Sequence, residues 1–258
     1  MPIPEDIQKA AEDLKKIPEI KSVDTKRVFE RVETGIMGFD ELIQGGIPKG
    51  SLILLTGGCG TGKSTFGVNF LVTGIEKYNE PGIYITMEEE PKGIVKQMKQ
   101  YGWDLEKYMK EDKLKFISTQ LYDFDKLLIA IEDAVDQIKA KRLVLDSITV
   151  LGFYFKDEFK IRKAIMEMGR RLKKLGCTSL LISEIPEGSN KLSTFGVEEY
   201  VVDGVIILYL IKKETTFLRA IAIRKMRGTN HSTKIHPIMF ITPGGIKVFP
   251  AEEVFAEV

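Results

Sequence analysis

Residues 57–64 form a glycine-rich loop whose residue types and spacing suit phosphate binding. They read Gly57, Gly58, Cys59, Gly60, Thr61, Gly62, Lys63 and Ser64, which is the G-x-x-x-x-G-K-[ST] pattern. Glycine lets successive backbone N–H groups turn towards one anion, and the start of a helix adds the positive end of its dipole. Lys63 would bring a point charge to the β- and γ-phosphates, and the Ser64 hydroxyl would bind Mg²⁺. With Thr65, these residues predict a site for ATP or ADP with Mg²⁺.

The residues on either side of the loop support this interpretation. Residues 51–56 form a short apolar run typical of a buried strand, and apolar residues recur at helical spacing over 65–72. The alternative is a glycine-rich turn that binds nothing. The order of strand, loop and helix favours the phosphate site, because it places the helix start beside the loop.

Acidic residues follow two further predicted strands. Asp146 ends the run 142–146 and is predicted to hold Mg²⁺ with Ser64, directly or through water. Glu88 and Glu89 follow the strand 82–87 and are candidates for the general base that activates a water molecule. Glu90 precedes Pro91, so we interpret it as a residue that caps a helix start or interacts with the helix dipole. Because strands of a parallel sheet end at one edge, these groups should meet there.

A third group, Lys225, Arg227 and His231, surrounds a glycine turn after a predicted strand. Residues at alternate positions of a strand share a face, so Lys225 and Arg227 could clamp a phosphate. They could act on a neighbouring subunit, as an arginine finger does. The alternative is a solvated hairpin tip.

The two cysteines cannot form a disulfide framework. Cys177 lies in an apolar run and is interpreted as a small buried hydrophobic residue. Cys59 lies beside Lys63 in the phosphate loop, which makes its thiol a candidate for oxidation that blocks nucleotide binding. The alternative is a passive position of the loop.

Composition limits the class of protein. The chain has 258 residues, of which 43% are hydrophobic and 29% charged, as in a globular protein with one large core. No apolar run reaches the ~20 residues that span a bilayer, and residues 1–6 show no secretion signal, so we expect a cytoplasmic protein without membrane contact. A net charge of +1 gives no overall attraction to nucleic acid.

The pattern along the chain predicts two regions. Residues 1–28 read as a helical extension with one apolar stripe, and residues 29–258 as an α/β domain. Strands alternate with helices up to residue 200, which predicts a mostly parallel central sheet flanked by helices. The runs 201–210, 217–225, 235–241 and 245–249 then predict consecutive antiparallel strands added at the C-terminal edge.

Four segments in order resemble a single KaiC-type domain of the RecA superfamily of P-loop ATPases. They are residues 34–50, the loop 57–64 with the later run 86–91, the strand end 144–149, and the string 225–231. The paired Glu88 and Glu89 and the K-x-R-G-T-x-H string are the more particular features. The similarity covers roughly residues 30–250.

The resemblance implies a fold and roles. It implies a RecA-like ATPase whose Glu88 and Glu89 activate the lytic water. It also implies that Lys225, Arg227 and His231 reach the nucleotide of an adjacent subunit, in a homo-oligomer that is a hexameric ring. The clock proteins of this family carry two such domains, whereas this chain has one. The place of their phosphorylated Ser-Thr pair matches Glu199 and Tyr200 here, which argues against autokinase activity.

Two functions remain open at this point, because the intact set of Lys63, Glu88, Glu89 and Asp146 argues against a third, a regulatory ATP-binding scaffold with negligible turnover. The first is a Mg²⁺-dependent ATPase that hydrolyses ATP as a signalling or conformational device, with an unknown protein partner. The second is a recombinase or helicase relative that binds single-stranded DNA through loops at 150–156 and 187–195, where aromatic residues lie near lysines. Core or subunit packing is the alternative explanation for the aromatic residues of the first loop.

Overall fold

A computed structural model describes residues 29–119, 123–186, 189 and 191–254. The helical extension predicted for residues 1–28 lies outside the described residues. The compact unit begins at Arg31. Its first strands, β1 (Arg31–Val32) and β2 (Ile47–Pro48), pair with each other as a short antiparallel ladder.

Nine strands of the described residues form one large sheet. Its strand order is β11-β10-β9-β8-β3-β7-β6-β4-β5. The bounds are β3 Leu52–Gly57, β4 Gly82–Thr86, β5 Leu114–Ser118, β6 Arg142–Asp146, β7 Thr178–Glu184, β8 Gly204–Lys213, β9 Thr216–Met226, β10 His236–Ile241 and β11 Gly245–Val248. The predicted α/β fold class, with a mostly parallel sheet and antiparallel strands at one edge, is confirmed.

Helices cover both faces of this sheet. The α-helices of the described residues are α1 Lys63–Tyr78, α2 Pro91–Met98, α3 Leu105–Lys110, α4 Phe124–Ile138, α5 Leu151–Tyr154, α6 Glu158–Lys174 and α7 Glu198–Val201. Short 3-10 turns lie at Asp40–Ile43, Lys99–Tyr101 and Ile148–Val150. Across the described ranges, none of these helices has the length and apolar character needed to cross a bilayer.

The core is divided by the sheet into two layers. Ile53 and Leu55 of β3 pack with the layer around α1, whereas Leu52 and Leu54 pack with the layer that contains α4 and α6. Successive side chains of a strand point to opposite faces, so a strand covered on both faces must be apolar throughout. This explains the continuous apolar run that precedes the glycine-rich loop.

The four late strands pair antiparallel in sequence order, as predicted. The first of them, β8, begins at Gly204 and also pairs in parallel with β3, which the sequence did not predict. The connection from β7 to β8 contains the helix α7 and passes from one side of β3 to the other, because β3 lies between these two strands in the sheet. The apolar residues 204–208 are buried because β8 lies inside the sheet, between β3 and β9.

The parallel strands bring four chain segments to one edge. In register, Gly57 at the end of β3 lies opposite Glu184 of β7, and Thr86 of β4 lies opposite Asp146 of β6. Ligands of open α/β sheets bind beyond this carboxyl edge. The fold therefore places the glycine-rich loop and the predicted acidic residues at the same edge of the sheet.

Candidate functional site

The glycine-rich loop joins β3 to the start of α1 in a conformation that needs glycine. Gly60 and Gly62 have φ angles of 72° and 104°, which side chains rarely adopt. A Cβ at Gly62 would lie 2.4 Å from Cζ of Phe240, so a larger residue would also collide with that ring. The Thr61 hydroxyl donates to the Gly58 carbonyl over 2.9 Å and holds the loop closed.

Lys63 is folded back over the loop. Its Nζ donates to the carbonyls of Gly57 (3.0 Å) and Gly58 (2.8 Å). Burial lowers the pKa of Lys63, and the nearby carboxylates of Glu184 and Asp146 partly offset this effect. A buried ammonium group is stabilised by an anion, so a phosphate held in this loop would stabilise the charge of Lys63.

Ser64 and Asp146 meet at the centre of the carboxyl edge. The Ser64 hydroxyl donates to Oδ2 of Asp146 over 2.7 Å, and the hydroxyl of Tyr84 donates to the same oxygen. Burial, followed by the charge of Asp146, holds the pKa of Tyr84 well above its usual range, so the phenol remains a donor. A hydroxyl and a carboxylate are the hard oxygen ligands that Mg²⁺ prefers, so this pair fits the predicted metal.

Glu88 and Glu89 project from the end of β4 into the same region. The Ser147 hydroxyl donates to Oε1 of Glu88 over 3.0 Å, which orients that carboxylate. Thr86 fixes the backbone of Glu89, because its hydroxyl donates to the Glu89 carbonyl and accepts from the Glu89 amide. Both glutamates are exposed to solvent, as a group that must meet a water molecule should be.

Glu90 differs from its two neighbours. It is the N-cap residue of α2, directly before Pro91 at the first helical position, and its side chain makes no capping hydrogen bond. Proline suits this position because its missing N–H would have no partner in the helix. Glu90 therefore lies at the helix start as predicted, where its charge can interact with the helix dipole, but its side chain does not cap the helix.

These groups surround one cavity of about 470 Å³. Its lining includes residues that the sequence predicted and residues that it did not. The predicted ones are Cys59, Gly60, Gly62, Lys63, Ser64, Thr65, Glu88, Glu89 and Asp146, and the others are Thr86, Gln97, Met98, Tyr101, Ser147, Glu184, Arg219 and Phe240. Gly57, Gly58 and Thr61 of the loop shape its backbone without lining this cavity.

Arg219 and Phe240 form one wall of the cavity, and neither was predicted. The Arg219 Nε donates to the Gly60 carbonyl over 3.1 Å, and its guanidinium lies 4.8 Å from the centre of the Phe240 ring. The ring of Tyr101 lies 6.3 Å from that of Phe240. Arg219 and Phe240 come from antiparallel strands whose register the sequence pattern does not fix.

Glu184 was also missed, although its signal was present in the sequence. It ends an apolar strand in the same way as Asp146 does. A search for an acidic residue at the end of every parallel strand would have found it.

Lys225, Arg227 and His231 lie away from the cavity of their own chain. Lys225 pairs with Val205 near the start of β8, which is the amino edge of the parallel strands. Its Nζ donates to the carbonyls of Glu199 (3.0 Å) and Val202 (2.7 Å). Arg227 pairs with Asp203 at 3.3 Å, and the His231 Nδ1 lies 2.9 Å from the Ser232 carbonyl.

The two cysteines differ in solvent exposure, and so do the aromatic residues of the loop 150–156. Cys59 is exposed and lines the cavity, whereas Cys177 is buried and its pKa is raised by burial to about 11. Phe155 packs edge-on against Phe124 in the core. Phe153 is 85% exposed and Tyr154 is exposed as well, so the loop 150–156 supplies one ring to the core and two to its surface.

The chain is similar to known proteins over most of its length. Residues 32–253 match the family model described as "ATPase: KaiC". A UPF0273 protein of Pyrococcus furiosus is 39% identical over 240 residues, covering 86% of this chain and 95% of that protein. The circadian clock oscillator protein KaiC of Parasynechococcus marenigrum is 34% identical over 236 residues, covering 88% of this chain and 46% of that protein.

A solved structure agrees with these matches. The crystal structure of a KaiC-like protein from the hyperthermophilic archaeon Pyrococcus horikoshii has a TM-score of 0.79 and 43% sequence identity, covering 86% of this chain and all of that one. The chain spans about half the length of the clock protein, so it corresponds to one part of it. With its RecA-like P-loop fold, the chain belongs to the KaiC family of ATPases.

Proposed function

We propose that this protein binds ATP and hydrolyses it to ADP and phosphate in a Mg²⁺-dependent reaction. The observation that carries the proposal is the shared cavity. Lys63, the hydrogen-bonded pair of Ser64 and Asp146, and Glu88 all line one space at the carboxyl edge of the sheet. Cation, metal-ligand oxygens and a solvent-exposed carboxylate are the set that phosphoryl transfer to water requires.

Each residue has a role in this proposal. Lys63 releases its two loop carbonyls and binds the β- and γ-phosphate oxygens. Ser64 and Asp146 hold Mg²⁺, which when bound neutralises charge that develops on the phosphates. Glu88, oriented by Ser147, accepts the proton of the attacking water with the help of Glu89.

Arg219 offers a second cation to the phosphates. It lines the cavity while its Nε remains on Gly60 of the loop. A guanidinium already oriented by a backbone carbonyl and an aromatic ring loses little side-chain freedom when an anion arrives. Its position in the cavity supports a role at the nucleotide of its own chain, which the sequence did not predict for Arg219.

We further propose that the protein acts as a ring, as a cytoplasmic signalling or conformational ATPase. Lys225, Arg227 and His231 lie outside their own cavity, so a role at a nucleotide would require a neighbouring chain. A hexamer with nucleotide between subunits would supply that geometry. Arg227 is more than half exposed on its side chain, which would allow it to reach a partner.

Autokinase activity is not part of this proposal. The place that matches the phosphorylated pair of clock proteins holds Glu199 and Tyr200. Tyr200 is exposed and lies below the guanidinium of Arg162, 5.9 Å from it. Neither residue lines the cavity.

Binding of single-stranded DNA is a second candidate function. The observation that favours it is the exposed ring of Phe153 next to Tyr154 and near Lys156, which could stack on a base. The weak net charge argues against strong affinity. The test of the proposed function therefore includes single-stranded DNA.

The test is ATP hydrolysis by the purified protein with Mg²⁺, with and without single-stranded DNA, across a salt series. Slow hydrolysis that is indifferent to DNA, and absent in Lys63→Ala, supports the KaiC-like signalling ATPase. Strong stimulation by DNA that falls with salt supports the second candidate. No hydrolysis above the Lys63→Ala control would overturn the proposed enzyme.

A further inference from the structure

Tyr84 is a buried tyrosine that no part of the mechanism above uses. It lies in the middle of β4, its side chain is fully buried, and its ring packs 5.3 Å from the ring of Phe116. A phenylalanine would supply the same packing. The hydroxyl therefore requires a separate reason, because a buried hydroxyl without a partner costs free energy.

The partner of that hydroxyl is the carboxylate of Asp146 on the neighbouring strand β6. Tyr84 donates to Oδ2 of Asp146, and Ser64 donates to the same oxygen. Two donors from two different elements fix the plane of the carboxylate. They leave the other oxygen, Oδ1, for a metal or for a water molecule that a metal carries.

The arrangement also leaves Ser64 able to bind a cation. A hydroxyl has one proton and two lone pairs, so Ser64 can donate to Asp146 and still offer a lone pair. Asp146 holds the Ser64 hydroxyl in this orientation only while its own carboxylate keeps its position. Tyr84 is attached to a strand of the core, so it is the rigid support of the pair.

We propose that Tyr84 is a positioning residue of the Mg²⁺ site, which acts by holding the carboxylate of Asp146 in the orientation that Mg²⁺ binding needs. This inference rests on the proposed Mg²⁺-dependent nucleotide binding. Partners outside the ligand set commonly change metal affinity by about 10–100-fold. We expect Tyr84 to act on the metal and to leave the affinity for metal-free nucleotide unchanged.

The test uses Tyr84→Phe in the full chain, with Tyr108→Phe as a matched control. Tyr108 is also buried and donates its hydroxyl to a carboxylate, that of Glu76. Neither Tyr108 nor Glu76 lines the cavity. Binding of a fluorescent ADP is measured as a function of Mg²⁺ concentration, together with the midpoint of thermal unfolding in ADP with and without Mg²⁺.

In Tyr84→Phe we expect the Mg²⁺ concentration at half-maximal effect to rise about tenfold, while ADP affinity in EDTA stays within about twofold of wild type. The extra thermal stabilisation that Mg²⁺ gives in ADP should shrink. Tyr108→Phe should behave as wild type in both measurements. An unchanged Mg²⁺ midpoint in Tyr84→Phe, or an equal shift in both variants, overturns the assignment.

The test separates this inference from the proposed function. If wild-type protein binds ADP with no dependence on Mg²⁺, the proposed function fails and the role of Tyr84 fails with it. If wild type shows the dependence and Tyr84→Phe keeps the same midpoint, only the role of Tyr84 fails.

Discussion

At the scale of single residues, the acidic run after β4 shows how three identical side chains take different places. Glu88 is oriented by Ser147, Glu89 is held through its backbone by Thr86, and Glu90 begins a helix. The side-chain type alone does not separate them. Their positions relative to the end of the strand do, because Glu88 and Glu89 line the cavity and Glu90, one residue further on, does not.

Replacing Glu88 and Glu89 together by Gln should abolish hydrolysis and spare binding. Glutamine keeps the size of the side chain and one acceptor oxygen, but it cannot take a proton from water. We expect the turnover rate to fall about a hundredfold or more, with ATP affinity within a few-fold of wild type. Glu90→Gln is the matched control and should retain wild-type turnover. Undiminished turnover in the double variant would remove both residues from the role of base.

Alkylation of Cys59 should block nucleotide binding. Its thiol is exposed in the loop, whereas Cys177 is buried with a pKa of about 11 and stays protonated near pH 8. N-ethylmaleimide should therefore modify Cys59 first, which mass spectrometry can verify. The treated protein should lose affinity for ADP, and treated Cys59→Ser should keep it. Full modification of Cys59 with unchanged affinity would make it a passive position of the loop.

At the scale of elements, the amino edge of the sheet is held by an ion cluster around Asp203, directly before β8. Its carboxylate accepts from the Leu52 amide over 2.9 Å and pairs with Lys173 and Arg227. Burial acts to raise the pKa of Asp203, but these donors outweigh it and hold that pKa below its usual value. The cluster ties β3, α6, β8 and β9 together where Lys225 and Arg227 lie.

Asp203→Asn should lower the free energy of unfolding by about 2 kcal/mol at neutral pH, because a buried charged acceptor is lost. A carboxylate whose pKa is lower in the folded state stabilises the protein above its unfolded pKa of about 3.9. That contribution disappears as the pH falls through the lower folded pKa. Urea unfolding of wild type and variant should therefore differ at pH 7 and converge in acid.

A matched control distinguishes this cluster from ordinary surface charge. Asp136 pairs with Lys139 at 3.9 Å with both side chains largely exposed, so Asp136→Asn should change the free energy of unfolding by less than about 1 kcal/mol. Equal effects of the two substitutions, or a loss in Asp203→Asn that persists unchanged in acid, would contradict the assignment.

Comparison of the elements with the sequence patterns shows which features of the fold could be predicted. Local patterns predicted the loop, the parallel strands and the acidic strand ends, because each depends on spacing within a few residues. They did not predict that β8 is parallel to β3, nor that Arg219 and Phe240 reach the loop. Those facts depend on pairing between distant segments, and a run of alternating or apolar residues does not determine which strand it will pair with. The register of β8 with β9, which includes a bulge at Val205 and Ile206, is of this kind.

At the scale of the whole molecule, the candidate nucleotide site lies at the opposite edge of the sheet from Lys225 and Arg227. Lys63 is at the carboxyl edge, and Lys225 and Arg227 are at the amino edge with their own backbone and acidic partners. One chain cannot bring the two together without breaking the sheet between them. If both act on one nucleotide, the second must come from another copy.

A mixing experiment tests this shared site. Lys63→Ala removes the phosphate cation, and Arg227→Ala removes the group proposed to act on the neighbour, so each variant alone should be inactive. In mixed rings some interfaces combine an intact loop with an intact Arg227, and these should recover a measurable part of the wild-type ATPase rate. A double variant with both changes, mixed with Lys63→Ala, is the control and should recover nothing, because every loop in that mixture lacks Lys63. Mass spectrometry must show that subunits have mixed, and mixed rings without recovery would mean that Arg227 serves only its pair with Asp203.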